Sequence, residues 1–298
     1  MPTHVPVMSD EVIEWLAPGR GGVFVDCTIG LGGHAAALLD AGADRVVGLD
    51  RDEEALASAR EALATWAGRV DLVHADFRQL EAVLDERGIE LVDGALADLG
   101  LSSFQIEHGD RGFSFQRDEP LDMRMDRSGG PTVAELLSSA SELELADVIF
   151  AYGEERYSRR IARAIARAQE LGPIERTGQL AGIVRRAVPR KGFQRIDPAT
   201  RTFQALRIWV NRELEGLDAF LSAAAGRLRA GGRLAVITFH SLEDRIVKHT
   251  FRHLGQPGSG TCRVLTRKPI LPSEAEVERN PRARSAKLRV VERIGAVA

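Results

Sequence analysis

Between Val23 and Leu99, short apolar runs alternate with stretches whose apolar residues recur at helical spacing. The pattern predicts strands over 23–27, 45–49, 70–74 and 92–99, and helices over 33–41, 52–66 and 78–87. Brief, wholly apolar strands separated by helices are what a parallel sheet requires, because its crossovers cover both faces. After Gly100 the alternation stops. Residues 106–200 show no strand pattern, and 133–137, 142–150, 156–168 and 178–188 read as helices. The sheet pattern then resumes. A long amphipathic helix is expected over 203–228, a strand over 233–239 and a helix over 241–254, where Ser241 and Asp244 resemble a capping box. The runs 264–266 and 287–294 are expected to close the sheet as an antiparallel pair. Ahead of it all, His4–Val7 reads as extended because each proline restricts its predecessor. Ser9–Trp15 reads as a helix capped by Ser9 or Asp10. The expected organisation is one α/β domain from 1–105 and 201–298, interrupted by a helical insert, 106–200.

Ligands of such sheets bind beyond the C-terminal strand ends. Asp26, Asp50, Asp76 and Asp98 all fall at or just past those ends. Asp26-Cys27-Thr28-Ile29-Gly30-Leu31-Gly32-Gly33-His34 reads as a strand, a glycine turn and the start of a helix. Glycines let a ligand approach the backbone, and the first amides of the helix face it with partial positive charge. Gly30 to Ala35 fits G-x-G-x-x-A, and Asp50 follows Gly30 by 20 residues, where a carboxylate meets ribose hydroxyls. A nicotinamide dinucleotide and S-adenosylmethionine both suit this pattern. Asp26 inside the turn favours the second, since a carboxylate attracts a sulfonium and repels a pyrophosphate. So does the lack of a second mononucleotide half after residue 100.

Composition narrows the picture a little. The chain has 298 residues, 44% hydrophobic and 28% charged, an ordinary globular mix. No apolar run approaches the ~20 residues of a membrane helix, and the N-terminus lacks the pattern of a secretion signal. Cys27 and Cys262 are too few and too far apart for a disulfide framework or a metal cluster, so a cytoplasmic protein without a membrane or metal partner is expected. Net charge is −3, but eight Lys or Arg and a single acid lie between Arg185 and Arg212. Further basic runs span 156–167 and 279–293. Local field governs attraction to phosphates, although the 156–167 run reads equally well as a solvated helix face.

A longer set of motifs is specific. Asp26–His34, Asp98-Leu99-Gly100-Leu101-Ser102-Ser103-Phe104-Gln105, Arg111–Phe115, Leu121–Met125, Tyr152-Gly153-Glu154-Glu155, Pro198–Ile208, Phe239–Arg245 and Arg284–Leu288 occur in this order. Together they resemble the bacterial 16S ribosomal RNA cytosine-N4 methyltransferase family, over essentially the whole chain. The resemblance implies a class I methyltransferase domain with a Rossmann-like sheet and an inserted helical subdomain. It also implies S-adenosyl-L-methionine as donor and a cytidine in the decoding region of 16S rRNA, within the small ribosomal subunit, as target. The cofactor contacts it implies are Gly32, Gly33, His34, Asp50, Phe77, Asp98 and Gln105. Ile196 stands where the family usually has a histidine, so that position is given no role in chemistry.

The chemistry fits these residues. Cytosine's exocyclic amine is a poor nucleophile, so the protein's task is to hold it in near-attack geometry and accept its hydrogens. No Pro-Pro-Tyr follows Asp98, unlike many enzymes that methylate such amines on DNA, and this leaves the acceptor unassigned. Asp98, backbone carbonyls near Leu99 and His240 are candidates, though His240 reads equally well as the start of a helix. Carbon-5 methylation would need a cysteine thiolate, and neither cysteine is well placed for it. Arg201 and Arg207 are the expected RNA contacts, with a tie between the insert and the sheet domain as the alternative for either, and Phe113, Phe115, Phe193 and Phe203 are candidates for base stacking. Phe77 reads as an adenine platform or a core aromatic, and Phe203 more as core. The competing readings are a methyltransferase for another nucleic acid, a ribosome-assembly factor that keeps the cofactor fold as scaffold, and a dehydrogenase.

Overall fold

The computed structural model describes residues 6–101, 105, 110–189, 196–256 and 260–295. The expectations for His4, Val5, Ser102–Phe104 and Phe193 lie outside the described residues, as do those for Arg190, Lys191 and Arg195 of the basic run. The chain divides into two compact units, one formed by 1–100 and 214–298, the other by 101–213.

The first unit is built on a seven-stranded sheet. In chain order its elements are α1 (Ser9–Leu16), β1 (Val23–Asp26), α2 (Gly33–Asp40), β2 (Arg45–Asp50), α3 (Glu53–Ala62), β3 (Val70–His74), α4 (Leu80–Glu86) and β4 (Val92–Asp98). The second unit contributes α5 (Val133–Ser139), α6 (Glu142–Gly153), α7 (Ser158–Gln169), α8 (Thr177–Ala187) and α9 (Ala199–Asn211). The chain then returns to the first unit with α10 (Leu217–Gly226), β5 (Leu228–Thr238), α11 (Ser241–Leu254), β6 (Cys262–Val264), α12 (Glu274–Arg279) and β7 (Lys287–Arg293).

The strand order is β3-β2-β1-β4-β5-β7-β6. The first five strands are parallel, while β7 runs antiparallel to both β5 and β6. Side chains alternate across the sheet, as the pleat dictates. Val25, Val47, Ala95 and Val236 point into one core with α4, α10 and α11, while Phe24, Val46, Leu96 and Ile237 point into the other with α1, α2 and α3. Full burial of each such side chain stabilises the fold by about 1.5–3 kcal/mol. The second unit has its own core, where Leu145 and Ile149 of α6, Ile161 and Ile165 of α7, and Phe203 and Leu206 of α9 pack together.

Three local expectations are corrected. The long helix over 203–228 is two helices. Arg212 takes a left-handed φ of 51° and Gly216 one of 67°, which stops α9 and starts α10 anew. The N-cap of α1 is Met8, also left-handed, with no side-chain cap. The capping box of α11 pairs His240 with Glu243, one residue ahead of the Ser241 and Asp244 pair expected. The second unit spans 101–213 rather than 106–200, and at its C-terminal end α9 packs its apolar face on α6.

Candidate cofactor site and active centre

Three carboxylates and an imidazole lie at the C-terminal ends of β1, β2 and β4. Asp26 closes β1 and is 1% exposed. Its Oδ1 accepts from the Thr28 amide at 3.2 Å. Its Oδ2 is buried with no hydrogen-bond partner among the described residues. Burial pushes the Asp26 carboxyl up to about 7, and the opposing pull of His34 and the Thr28 amide is too small to reverse this. A carboxylate held in so little water is destabilised until a cation joins it.

His34 sits in the first turn of α2, 6% exposed, with Nε2 3.6 Å from Asp98 Oδ2. Neither ring nitrogen has a hydrogen-bond partner among the described residues. Burial works against its imidazolium, but the Asp98 carboxylate and then Asp26 outweigh this, and its pKa lies above the usual histidine value. Asp98 closes β4. Its amide donates to Thr28 Oγ1 at 2.6 Å, and its Oδ1 is buried without a partner among the described residues. Thr28 therefore ties the two strand ends together. Sequence reasoning passed over it, although Asp-x-Thr after a strand is the pattern of an Asx turn.

Asp50 closes β2 and braces the glycine turn. Its Oδ2 accepts from the Gly30 amide at 2.8 Å and its Oδ1 from the Asp52 amide at 2.9 Å. Burial pushes its carboxyl up to about 6, against the downward pull of those two amides. Gly32 has φ 84° and serves as the N-cap of α2, which has no side-chain cap. A Cβ at Gly32 would lie 2.8 Å from Leu63 Cδ1, and one at Gly33 would lie 3.3 Å from Pro6 Cδ. Packing of the protein on itself is thus a second reason for these two glycines. They satisfy the backbone and the close packing of the protein on itself, while the free amides of the α2 first turn remain as donors for an anion.

The other expected residues are placed as follows. Asp76 does not join the cluster. Arg78 Nε is 2.6 Å from it and Arg51 Nη1 3.2 Å, and although burial acts to raise its carboxyl, the Arg78 hydrogen bonds outweigh this and hold it below the usual range. The Phe77 ring packs 4.6 Å from that of Phe220, with the Arg78 guanidinium 5.6 Å from its centroid. Gln105 is buried in the second unit. His240 caps α11, its Nδ1 accepting from the Glu243 amide at 3.4 Å, and its Nε2 lies 3.0 Å from Glu243 Oε1. Arg207 is not an open RNA contact. It is bound in a two-pronged pair with Glu213 at 2.8 and 2.7 Å, the two side chains 15% and 7% exposed. Arg201 is 56% exposed, lies 3.8 Å from Glu155, and lines a cavity of about 440 Å³ with Glu155, Arg156, Tyr157 and Asp197. Phe203 is core, edge-on to Phe115 at 4.8 Å. Phe113 is half-buried near Arg111.

Partnerless buried acceptors beside an uncapped helix start suit a ligand carrying both a cation and a carboxylate. S-adenosylmethionine has both, whereas a dinucleotide would bring its pyrophosphate against Asp26 and Asp98. With five parallel strands and β7 antiparallel beside β5, the sheet and this cluster define a class I methyltransferase, and S-adenosylmethionine is its donor. The chain belongs to the MraW methylase family, whose model matches residues 1–294. It is 49% identical over 309 residues to a protein of Geotalea uraniireducens, covering 98% of each chain. It is 52% identical over 309 residues to one of Nitratidesulfovibrio vulgaris, covering 98% of this chain and 86% of that one. Both relatives carry the name Ribosomal RNA small subunit methyltransferase H. No helix among the described residues is long and apolar enough to cross a membrane.

Proposed function

We propose that the protein transfers a methyl group from S-adenosylmethionine to the N4 amine of a cytidine in the decoding region of 16S rRNA, acting on the small ribosomal subunit in the cytoplasm. The names of the relatives support the RNA, and the order of motifs supports the base and the atom. The observation that carries the reading is the set of buried polar atoms without partners: Asp26 Oδ2, Asp98 Oδ1 and both nitrogens of His34. Buried polar atoms are rarely left unpaired, so such a cluster calls for a ligand.

The roles follow from the chemistry of each group. Asp26 and Asp98 hold the cationic end of the donor. The amides of Gly33 and His34 at the start of α2 receive its carboxylate. Asp50 accepts from the ribose hydroxyls through lone pairs left over from the Gly30 and Asp52 amides, with Phe77 as a further contact. The donor, once bound, supplies an electrophilic methyl on sulfur. The protein's part is to orient the amine and take its proton. We assign that proton to Asp98 rather than His240, whose Nδ1 is engaged in capping α11. Arg201 contacts the RNA backbone.

Mass spectrometry of 16S rRNA from cells with and without this protein tests the reading. Loss of one N4-methylated cytidine on deletion is expected. An unchanged methylation pattern would refute the substrate assignment.

A further inference from the structure

A positively charged feature lies in the sheet-bearing unit, on the edge of the sheet closed by β6. A cavity of about 620 Å³ opens between the C-terminal half of α11 and the β6–β7 edge. Five cations line it: Lys248, Arg252, Arg263, Arg267 and Arg289, with no Asp or Glu among the lining residues. Two of the five are already neutralised. Arg289 pairs with Asp244 at 2.7 Å, and Arg263 with Glu292 at 2.6 Å. Lys248, Arg252 and Arg267 are exposed and make no ion pair among the described residues. The lining also includes Phe251 and Cys262, both buried, and half-buried Val264.

Cationic groups beside low-dielectric walls concentrate field, and such a cleft draws anions. Arg252 has a partial structural role, since a cation suits the C-terminal end of a helix. That role does not extend to Lys248, a turn earlier, or to Arg267, beyond β6. We propose that this cleft binds phosphodiester groups of the RNA substrate, as a docking site separate from the cofactor cluster. The inference rests on the RNA reading above. A phosphodiester chain suits the cleft better than a nucleobase, because the cavity presents spare positive charge and no exposed aromatic ring for stacking.

The test uses the full-length protein and purified small ribosomal subunits, with binding measured over a salt series. The variant Lys248→Gln/Arg252→Gln/Arg267→Gln should bind about tenfold more weakly near ~0.1 M salt, with a slope of log affinity against log salt shallower by about 2 to 3. Its melting temperature and its affinity for S-adenosylmethionine should match wild type, and Arg252→Lys/Arg267→Lys should retain binding. Equal affinity and slope for wild type and the triple variant would overturn the docking site. So would weaker binding with an unchanged slope. Tripolyphosphate should compete with the particles on wild type more strongly than on the variant. Tripolyphosphate that bound the cleft without displacing particles would mark a site for free anions and overturn the RNA assignment. Wild-type protein that bound no particle would overturn both readings, whereas equal binding by wild type and variant overturns this one alone.

Discussion

Asp26 and Asp50 hold their protons at about pH 7 and about pH 6, well above the exposed carboxylate value of 3.8. Between those values and 3.8 the folded, donor-free chain binds more protons than the unfolded chain, so both groups lower its stability as pH rises through that range. Asp26→Asn should therefore raise the melting temperature of the donor-free protein at neutral pH by a few degrees, about what 1 kcal/mol gives. It should also weaken donor binding at least tenfold, roughly the loss of one charge-assisted contact. Thermal melts with and without S-adenosylmethionine check both, and a lowered donor-free melting temperature would count against the account. The same logic fixes a proton balance. A cationic donor favours ionised Asp26 and Asp50 and neutral His34, so its binding near pH 6.5 should release protons. Calorimetry in buffers of different ionisation heat reads this directly, and uptake instead of release is the contrary result. Asp26, Asp50 and Asp98 were legible in the sequence because each closes a short apolar run. Thr28 was not, since its hydroxyl matters only once β1 and β4 lie side by side. Gly32 was found for an incomplete reason: Leu63, far along the chain, is what fills the space a side chain there would need.

Among the elements, the arginines of α9 show why a basic run is a poor guide to single contacts. Arg201 and Arg207 look alike in sequence, but Arg207 faces Glu213 across the turn that ends the helix. Glu213→Ala should leave a largely buried guanidinium without its carboxylate and cost about 2 to 4 kcal/mol in urea denaturation. Arg201→Ala, at an exposed position, should change stability by no more than about 0.5 kcal/mol while weakening binding to small subunits. The reverse ranking would contradict these assignments. Strands and helices up to residue 100 were legible to within a few residues, because each apolar run is bounded by polar or glycine residues. The helix expected over 203–228 was misjudged because its apolar periodicity runs straight through the break. Gly216 was the available signal, and the left-handed turn at Arg212 had none. At α11 the capping box fell one residue early, because His240 caps with a ring nitrogen rather than a hydroxyl.

At the scale of the molecule, the interruption of the α/β pattern after Gly100 was plain in the sequence. The return point was not, since α9 has the same amphipathic character whichever core it joins, and it joins the second. The cationic cleft beside β6 was visible only in part, through the basic run 279–293 that contains Arg289. Its other cations come from α11 and the β6 region and converge only in the fold. The sheet-bearing unit thus carries two features of opposite charge, an acidic cluster at the strand ends and a basic edge. In the proposed reaction a methyl group passes from a donor held at the acidic cluster to a cytidine amine. Purified protein, small ribosomal subunits and S-adenosylmethionine labelled in its methyl group, followed by nuclease digestion and nucleoside analysis, test it most directly. The account predicts label in N4-methylcytidine from a single 16S position, abolished by Asp98→Asn. Label in any other nucleoside, or none with the wild-type protein, would contradict it.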